Sequence, residues 1–313
     1  MNFHQESEEA IIASPIQESG DGFPHEALFL ALSYLPVYEL LVLNQVCRSF
    51  REALKNDILP WLNIVVGKPL NKRLNDDHLF NLTSKAQGRL HTLALLNCSR
   101  ITDDGLLKVI AANPLITQLW LPGCTSLNPS GVIEAVKLLR RDNHRLKCLK
   151  IRGIYNIKKE DLEILHQLID DENLPMQKEE MNLYHNYNDL SPFQQSGPAI
   201  DVDVCPRCDE VRGVFDCPRD SCRTMKQHQK VMECRGCKLC ILRCEECGIC
   251  IKEDDLVEVA CADVLCLDCW LQLPKCIFCN KPYCTQHADQ QCRLSGSSGF
   301  VCTKCHAKFL QSA

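Results

Sequence analysis

Between Leu28 and Leu54 the apolar residues recur at helical spacing in three short runs. Leu28, Leu32 and Leu35 form the first, Leu40, Leu41 and Leu43 the second, and Val46, Cys47, Phe50 and Leu54 the third. Pro24 suits a first helical turn, and Pro36 ends the first run and can open the second. The pattern therefore predicts a small helical unit over 22–61. Beyond it the period changes. Three stretches align as Leu90-x-x-Leu93-x-Leu95-x-x-Cys98-x-x-Ile101, Ile116-x-x-Leu119-x-Leu121-x-x-Cys124-x-x-Leu127 and Leu146-x-x-Leu149-x-Ile151-x-x-Ile154-x-x-Ile157. A half-copy, Leu74-Asn75-Asp76-Asp77-His78-Leu79, echoes Ile101-Thr102-Asp103-Asp104-Gly105-Leu106.

Repeats of roughly 26 to 30 residues with this spacing carry the leucine-rich signature. Each unit should be a short strand followed by a helix, such as Gly105–Ala112 or Gly131–Arg140. Each buries its apolar side only against its neighbours. Cys98 and Cys124 take the buried position of the repeat and read as packing residues. The repeats occupy 62–170. The strand-like Trp61–Val66 follows the helices without a linker, so the two regions should fold as one unit. Residues 1–21 are acidic and polar and read as a disordered tail. Residues 171–204 are punctuated by Pro175, Pro192 and Ser196-Gly197-Pro198 and read as a linker. Residues 205–313 form a separate, cysteine-rich module.

The helical segment resembles a known motif. Phe23-Pro24-x-Glu26-x-Leu28-x-x-x-Leu32-Ser33-Tyr34-Leu35-Pro36, then Leu40-x-x-Leu43-x-x-Val46-Cys47-Arg48-Ser49-Phe50-Arg51, is similar to the F-box. Phe23 replaces the usual Leu and Phe50 the usual Trp, and both swaps keep the apolar character. The order F-box, leucine-rich repeats, cysteine-rich tail resembles plant F-box proteins of the Skp-interacting-partner group. The resemblance implies a non-catalytic adaptor that binds an Skp-type partner and, through it, a cullin. Pro24, Leu28, Leu35, Pro36 and Leu40 match the motif positions that face the adaptor, and the recognition is helix-in-groove.

Composition adds limits. The apolar fraction is 45% and the formal net charge is −5, which argues against coating nucleic acid or an anionic membrane. The longest apolar run, Leu28 to Val46, is broken by Pro36, Glu39 and Asn44 and is not a membrane span. The first Lys or Arg is Arg48, so no secretory or mitochondrial leader is expected and the chain is placed in the cytosol or nucleus. In that compartment cysteines stay reduced.

Nineteen of the 23 cysteines fall between Cys205 and Cys305. The C-x-x-C pairs are Cys205/Cys208, Cys234/Cys237, Cys237/Cys240, Cys244/Cys247, Cys247/Cys250, Cys266/Cys269, Cys276/Cys279 and Cys302/Cys305, with Cys284/His287 as a mixed knuckle. Cys217, Cys222 and Cys261 complete the candidate ligands. Each tight turn sets two thiolates at about 2.3 Å from a zinc ion, and two turns complete a tetrahedron. About three to five structural Zn2+ ions follow. In the overlapping trios Cys234/Cys237/Cys240 and Cys244/Cys247/Cys250 the spacing does not say which thiols pair. Cys276/Cys279 with Cys302/Cys305 flank Cys284/His287, which points to interleaving. A module this poor in aliphatic residues should need metal to fold.

No phosphate loop, nucleophile elbow or paired acidic motif is present, so catalysis is not expected. Residues 205–313 carry fifteen Lys/Arg against fourteen Asp/Glu, a balance that argues against nucleic acid. The expected fold is thus modular α/β: a helical F-box, a short repeat arc and an irregular zinc-stapled module. The expected function is substrate recognition in an Skp–cullin–F-box ubiquitin ligase, with a protein substrate held by the repeats, the zinc module or both. The alternatives are a RING-like cross-brace within 244–305 that recruits a conjugating enzyme directly, and a zinc-dependent nucleic-acid regulator.

Overall fold

The computed structural model describes residues 26–141, 146–169, 182–184, 198–224, 234–293 and 299–312. Helices α1 (Glu26–Ala31), α2 (Val37–Val46) and α3 (Arg48–Asn56) come first. They are followed by β1 (Asn63–Val66), α4 (Asp76–Thr83), β2 (Thr92–Leu95), α5 (Asp103–Ala112), β3 (Gln118–Trp120), α6 (Pro129–Arg141), β4 (Cys148–Lys150) and α7 (Lys159–Ile169).

The four strands form one parallel sheet in the order β1-β2-β3-β4. Its register aligns Ile64 with Leu93, Leu93 with Leu119 and Leu119 with Leu149. These residues make a continuous fully buried row. Every repeat position from Leu90 to Ile154 that the sequence pattern marks as apolar is buried, and Ile157 is half-buried. Strand and helix therefore alternate, and each helix stacks on the next. The helices start two residues before the expected Gly105 and Gly131. Thr102 caps α5 by accepting the Gly105 N–H at 3.2 Å, and Asp103 and Asp104 fill its first turn.

Leu32, Val37, Leu40, Leu54 and Trp61 belong to the same core as Ile64 and the repeat residues. Trp61 Nε1 donates to the Leu54 carbonyl at 2.9 Å and locks α3 over β1. Phe29 and Phe50 meet at 5.6 Å between ring centres and tie α1 to α3.

Part of the expected linker is packed. Ile200 pairs in parallel with Leu149, and Leu149 N–H donates to Ala199 at 2.7 Å. Ile200 and Val202 join the main core, which adds a fifth residue to the Ile64 row. Asp216 N–H donates to the Asn182 carbonyl at 2.8 Å, Asn182 N–H donates to the Asp216 carboxylate at 3.1 Å, and Asn182 Nδ2 donates to the Val214 carbonyl at 2.7 Å. The buried Tyr184 stands edge-on to Phe215 at 5.1 Å and donates to Glu245 at 2.7 Å. Apolar Ile200 and Val202 had a core to enter, which the surrounding polar composition concealed.

The cysteine-rich region has short strands β5 (Asp203–Val204), β6 (Val211–Arg212), β7 (Val214–Phe215) and β8 (Gly236–Cys237), then β9 (Cys292–Arg293) and β10 (Phe300–Val301). Its helices are α8 (Asp220–Thr224), α9 (Leu267–Gln272) and α10 (Thr303–Ser312). Three small cores, each containing cysteine, replace an aliphatic one.

Candidate metal centres and docking face

Three hairpins of the module share one local design. In each, a Cys-x-x-Cys turn is followed by a residue with left-handed backbone: Asp209 at φ 62°, Gly248 at 74° and Asn280 at 54°. Glycine, asparagine and aspartate tolerate that region best. Its N–H donates to the carbonyl of the first cysteine, Cys205, Cys244 or Cys276, at 2.8, 2.9 and 2.9 Å. The first cysteine in turn donates to Glu210, Ile249 or Lys281 at 2.9, 3.0 and 3.0 Å. These bonds hold both thiols on one side of the turn.

The turns assemble into five groups: Cys205, Cys208, Cys237 and Cys240; Cys217, Cys222, Cys234 and Cys250; Cys244, Cys247, Cys266 and Cys269; Cys276, Cys279, Cys302 and Cys305; and Cys261, Asp263, Cys284 and His287. Within each, the donor atoms all lie within 4.8 Å of one another. A tetrahedral site with Zn–S of about 2.3 Å places its sulfurs about 3.8 Å apart. The Sγ separations Cys208–Cys237, Cys222–Cys250, Cys234–Cys250, Cys247–Cys266 and Cys279–Cys302 are 3.9, 3.9, 3.7, 3.7 and 3.8 Å. A disulfide requires about 2.05 Å. The four-cysteine sets thus suit a tetrahedral metal, with Cys222–Cys234 closer, at 3.1 Å.

Electrostatics favours thiolate in the first cysteine of each of the three hairpins, Cys205, Cys244 and Cys276. Burial works upward on Cys205, but backbone N–H groups of Arg207, Cys237 and Cys208 outweigh it and hold the thiol at about 6. Cys276 is likewise at about 6: burial is outweighed by the N–H groups of Cys302, Cys279 and Phe278. The Cys237 and Cys302 N–H groups each stand 3.3 Å from the sulfur they serve.

All the sequence-predicted ligands are thereby placed in groups. The overlapping trios resolve: Cys237/Cys240 and Cys244/Cys247 are pairs, while Cys234 and Cys250 leave them to join Cys217 and Cys222. Cys292 belongs to no group among the described residues. Asp263 is a member of the fifth group that cysteine spacing did not reveal, and its signal was Cys261-x-Asp263 just before Cys266.

The N-terminal helices tell a different story from the motif positions. Leu40 is fully buried against the repeat core, so it cannot face a partner. Leu35 is half-buried on that core, Pro36 is exposed and Leu28 is half-exposed. Pro24 lies outside the described residues. Leu30, Tyr34, Tyr38, Val42 and Val46 are exposed instead, and the last three recur at every fourth residue along one face of α2. Helix α2 is therefore apolar on both faces, one in the core and one open.

Comparisons with known proteins agree with this layout. A family model described as F-box-like matches residues 22–66. One described as the At3g27290 F-box protein C-terminal domain matches residues 201–278. The F-box protein SKIP28 of Arabidopsis thaliana is 40% identical over 292 residues, 90% of each chain. The F-box protein SKIP14 of the same plant is 31% identical over 256 residues, 82% of this chain and 56% of the relative. The F-box protein At3g27290, also from that plant, is 33% identical over 233 residues, 73% of this chain and 61% of the relative.

Proposed function

The chain belongs to the F-box proteins, and from that membership we propose that it is the substrate-recognition adaptor of an Skp–cullin–F-box ubiquitin ligase. It performs no bond chemistry. It holds a protein substrate near a charged conjugating enzyme, and its contribution to rate is proximity. The repeats, read as a short leucine-rich arc over 62–170, form the rigid spacer between the docking helices and the cysteine-rich module. Residues 205–313, read as a zinc-stapled module, carry structural Zn2+ in the four groups of four cysteines. When bound, the metal supplies the crosslinks that an aliphatic core would otherwise provide.

The observation that carries this reading is the open apolar face of α2. Tyr38, Val42 and Val46 are exposed while Val37 and Leu40 on the other side anchor the helix in the core. The face fits a groove in the Skp adaptor, with Tyr34, Leu30 and the exposed Pro36 alongside. On the sheet, Ala94 and Trp120 are buried and offer no apolar surface to a partner. Leu239, Leu267, Ile277 and Phe278, exposed on the metal-binding turns, are thus the better surface for substrate. A pull-down with recombinant Skp adaptor tests the reading. Tyr38→Ser/Val42→Ser should retain far less adaptor than wild type, and equal retention would remove the docking assignment.

A second reading is favoured by one feature. Along the chain Cys244/Cys247 and Cys266/Cys269 alternate with Cys261/Asp263 and Cys284/His287, the interleaving of a RING-like cross-brace. Such a module could recruit a conjugating enzyme directly. Ubiquitin chain formation by the full chain without cullin would support this reading over the adaptor role.

A further inference from the structure

We propose that Cys261, Asp263, Cys284 and His287 form a metal centre in which the Asp263 carboxylate is itself a ligand, and that this centre is braced to the four-cysteine centre at Cys244. The inference rests on the zinc reading of the module and extends it to a donor set of different chemistry.

The geometry at His287 carries it. Asp263 Oδ2 lies 2.7 Å from His287 Nδ1. Cys284 Sγ lies 3.2 Å from the same Nδ1 and 3.0 Å from the same Oδ2. Three donors of different type therefore converge on one another, with Cys261 completing the group. Two other roles would arrange them differently. In a nucleophile–base–orienter relay, thiol and carboxylate address opposite nitrogens of the imidazole. Here both address Nδ1, and Cys284 is fully buried, closed to any substrate. In an outer-sphere arrangement, the carboxylate accepts from the nitrogen that the metal does not use. Here it shares the nitrogen nearest the thiol. One small cation between sulfur, nitrogen and oxygen would give all three donors a common partner after they part by a few tenths of an ångström, and zinc accepts each of these ligand types.

The bracing follows from the order of ligands and from hydrogen bonds between the two centres. Glu246, inside the Cys244/Cys247 turn, accepts from Thr285 N–H at 2.6 Å and from its hydroxyl at 2.8 Å. Thr285 sits between Cys284 and His287. The neighbouring Glu245 N–H donates to Val264 at 3.0 Å, beside Asp263. Buried Leu265 and Cys266 pack with Cys244 and Cys284 in one small core. Emptying the mixed centre therefore frees the segment that presents Cys266 to its neighbour.

Native mass spectrometry of the full chain, refolded or expressed with zinc, decides the matter. Wild type should carry five ions, one for each group. Asp263→Ala should lose the ion of the mixed centre, and Asp263→Cys, which restores a fourth donor, should keep it. An orienting carboxylate would not be rescued by cysteine. In Asp263→Ala a chelator should also strip the Cys244 centre faster than in wild type. Retention of every ion by Asp263→Ala, or a wild type lacking only one ion, overturns the proposal and leaves the four-cysteine centres standing. A wild type with no metal overturns the zinc reading itself. If Asp263→Ala does not fold, cobalt(II) reconstitution of wild type serves instead. Ligand-field bands of four-sulfur sites alone would exclude the mixed centre, and an additional band at shorter wavelength would establish it.

Discussion

The Asp76 carboxylate stands where a side chain on Gly105 would begin: Oδ1 is 2.1 Å from the position of a Cβ there. The same carboxylate accepts from the Thr102 N–H at 3.0 Å and its hydroxyl at 2.6 Å. It thus fastens the cap of α5 to the first turn of α4. One repeat later, Asp103 lies 2.2 Å from the Cβ position of Gly131 and accepts from Asn128 N–H and Nδ2 at 3.0 and 2.8 Å. The repeats are therefore joined by an aspartate–glycine ladder along the helix starts, in addition to their strands.

Gly105→Ala weighs two opposed effects. Alanine is worth about 1 kcal/mol over glycine within a helix. Against this, a Cβ expels Asp76 and breaks two hydrogen bonds to a carboxylate, each worth about 1.5–3 kcal/mol when well shielded and less at this half-buried site. The steric effect wins, and a net loss of about 1–3 kcal/mol is expected by chemical denaturation. In an Asp76→Ala background the same substitution should cost little or turn stabilising. Equal costs in the two backgrounds would refute the ladder.

Leu40 and Tyr38 separate folding from docking. Leu40→Ala leaves a hole in the core shared by α2 and β1, so stability should fall by about 2–5 kcal/mol. Tyr38→Ser and Val42→Ser alter an open face, and the unfolding midpoint should move by no more than about 0.5 kcal/mol equivalent. Adaptor retention should nevertheless drop about tenfold or more in the Tyr38/Val42 pair. Calorimetry and pull-down on the same preparations check both halves.

Much of this layout was legible beforehand, because periodicity reports burial directly. Leu93, Leu119 and Leu149 could be aligned from spacing alone, and they share a register row. Leu40 matched a motif position expected to face the adaptor, yet it is buried in the core. A helix apolar on both faces gives no asymmetry from which to tell core from interface. The trios of cysteines were ambiguous for a related reason: C-x-x-C spacing is local, whereas Cys234 and Cys250 find partners at Cys217 and Cys222 by chain folding. The left-handed residues Asp209, Gly248 and Asn280 mark which pairs close a hairpin, and each directly follows its second cysteine in the sequence. Asp263 escaped because a lone carboxylate among thiols has no spacing rule.

Cys247 and Cys250 look like one metal-binding pair but fall in two different groups. Replacing both with serine should therefore remove two ions, one from the Cys244 group and one from the Cys217 group. Cys292→Ser should leave metal content unchanged, since Cys292 lies outside the groups among the described residues. Plasma emission spectrometry on purified protein reads the counts. Loss of one ion from the double variant would reject the assignment of Cys250.

Arg243 is buried and its guanidinium donates to the carbonyls of Phe215 at 2.7 Å, Asp216 at 3.3 Å, Gly248 at 3.4 Å and also Cys234. It thus joins the strand before Cys217 to the turn after Cys247. Methionine there would fill the volume and leave these acceptors unpaired, at about 1–3 kcal/mol for each that water cannot reach. Arg243→Met should accelerate metal loss to a chelator, followed with a chromogenic zinc indicator. An unchanged rate would show that the metal alone holds these segments together.

Asp201 gives the repeat edge a pH dependence whose sign can be worked out. Its Oδ1 accepts the Ile151 N–H at 2.7 Å, while its Oδ2 is buried with no hydrogen-bond partner. Burial pushes this carboxyl up, and the attraction of Arg152 and the Ile151 N–H do not offset it. An unfolded aspartate titrates near about 3.9. The folded protein therefore binds this proton more tightly than the unfolded chain. Below about pH 4 both states are protonated and the site is neutral in its effect. As pH rises through the folded pKa, folding must carry a buried carboxylate, and stability is lost until that group has fully ionised. Asparagine keeps the Oδ1 acceptor and carries no charge, and the cost of burying its NH2 group is the same at every pH. The stability of Asp201→Asn relative to wild type should accordingly increase between about pH 4 and neutrality. Urea titrations of both proteins across that range measure the slope, and a difference that stays flat or falls with pH would mean that Arg152 neutralises the carboxylate after all.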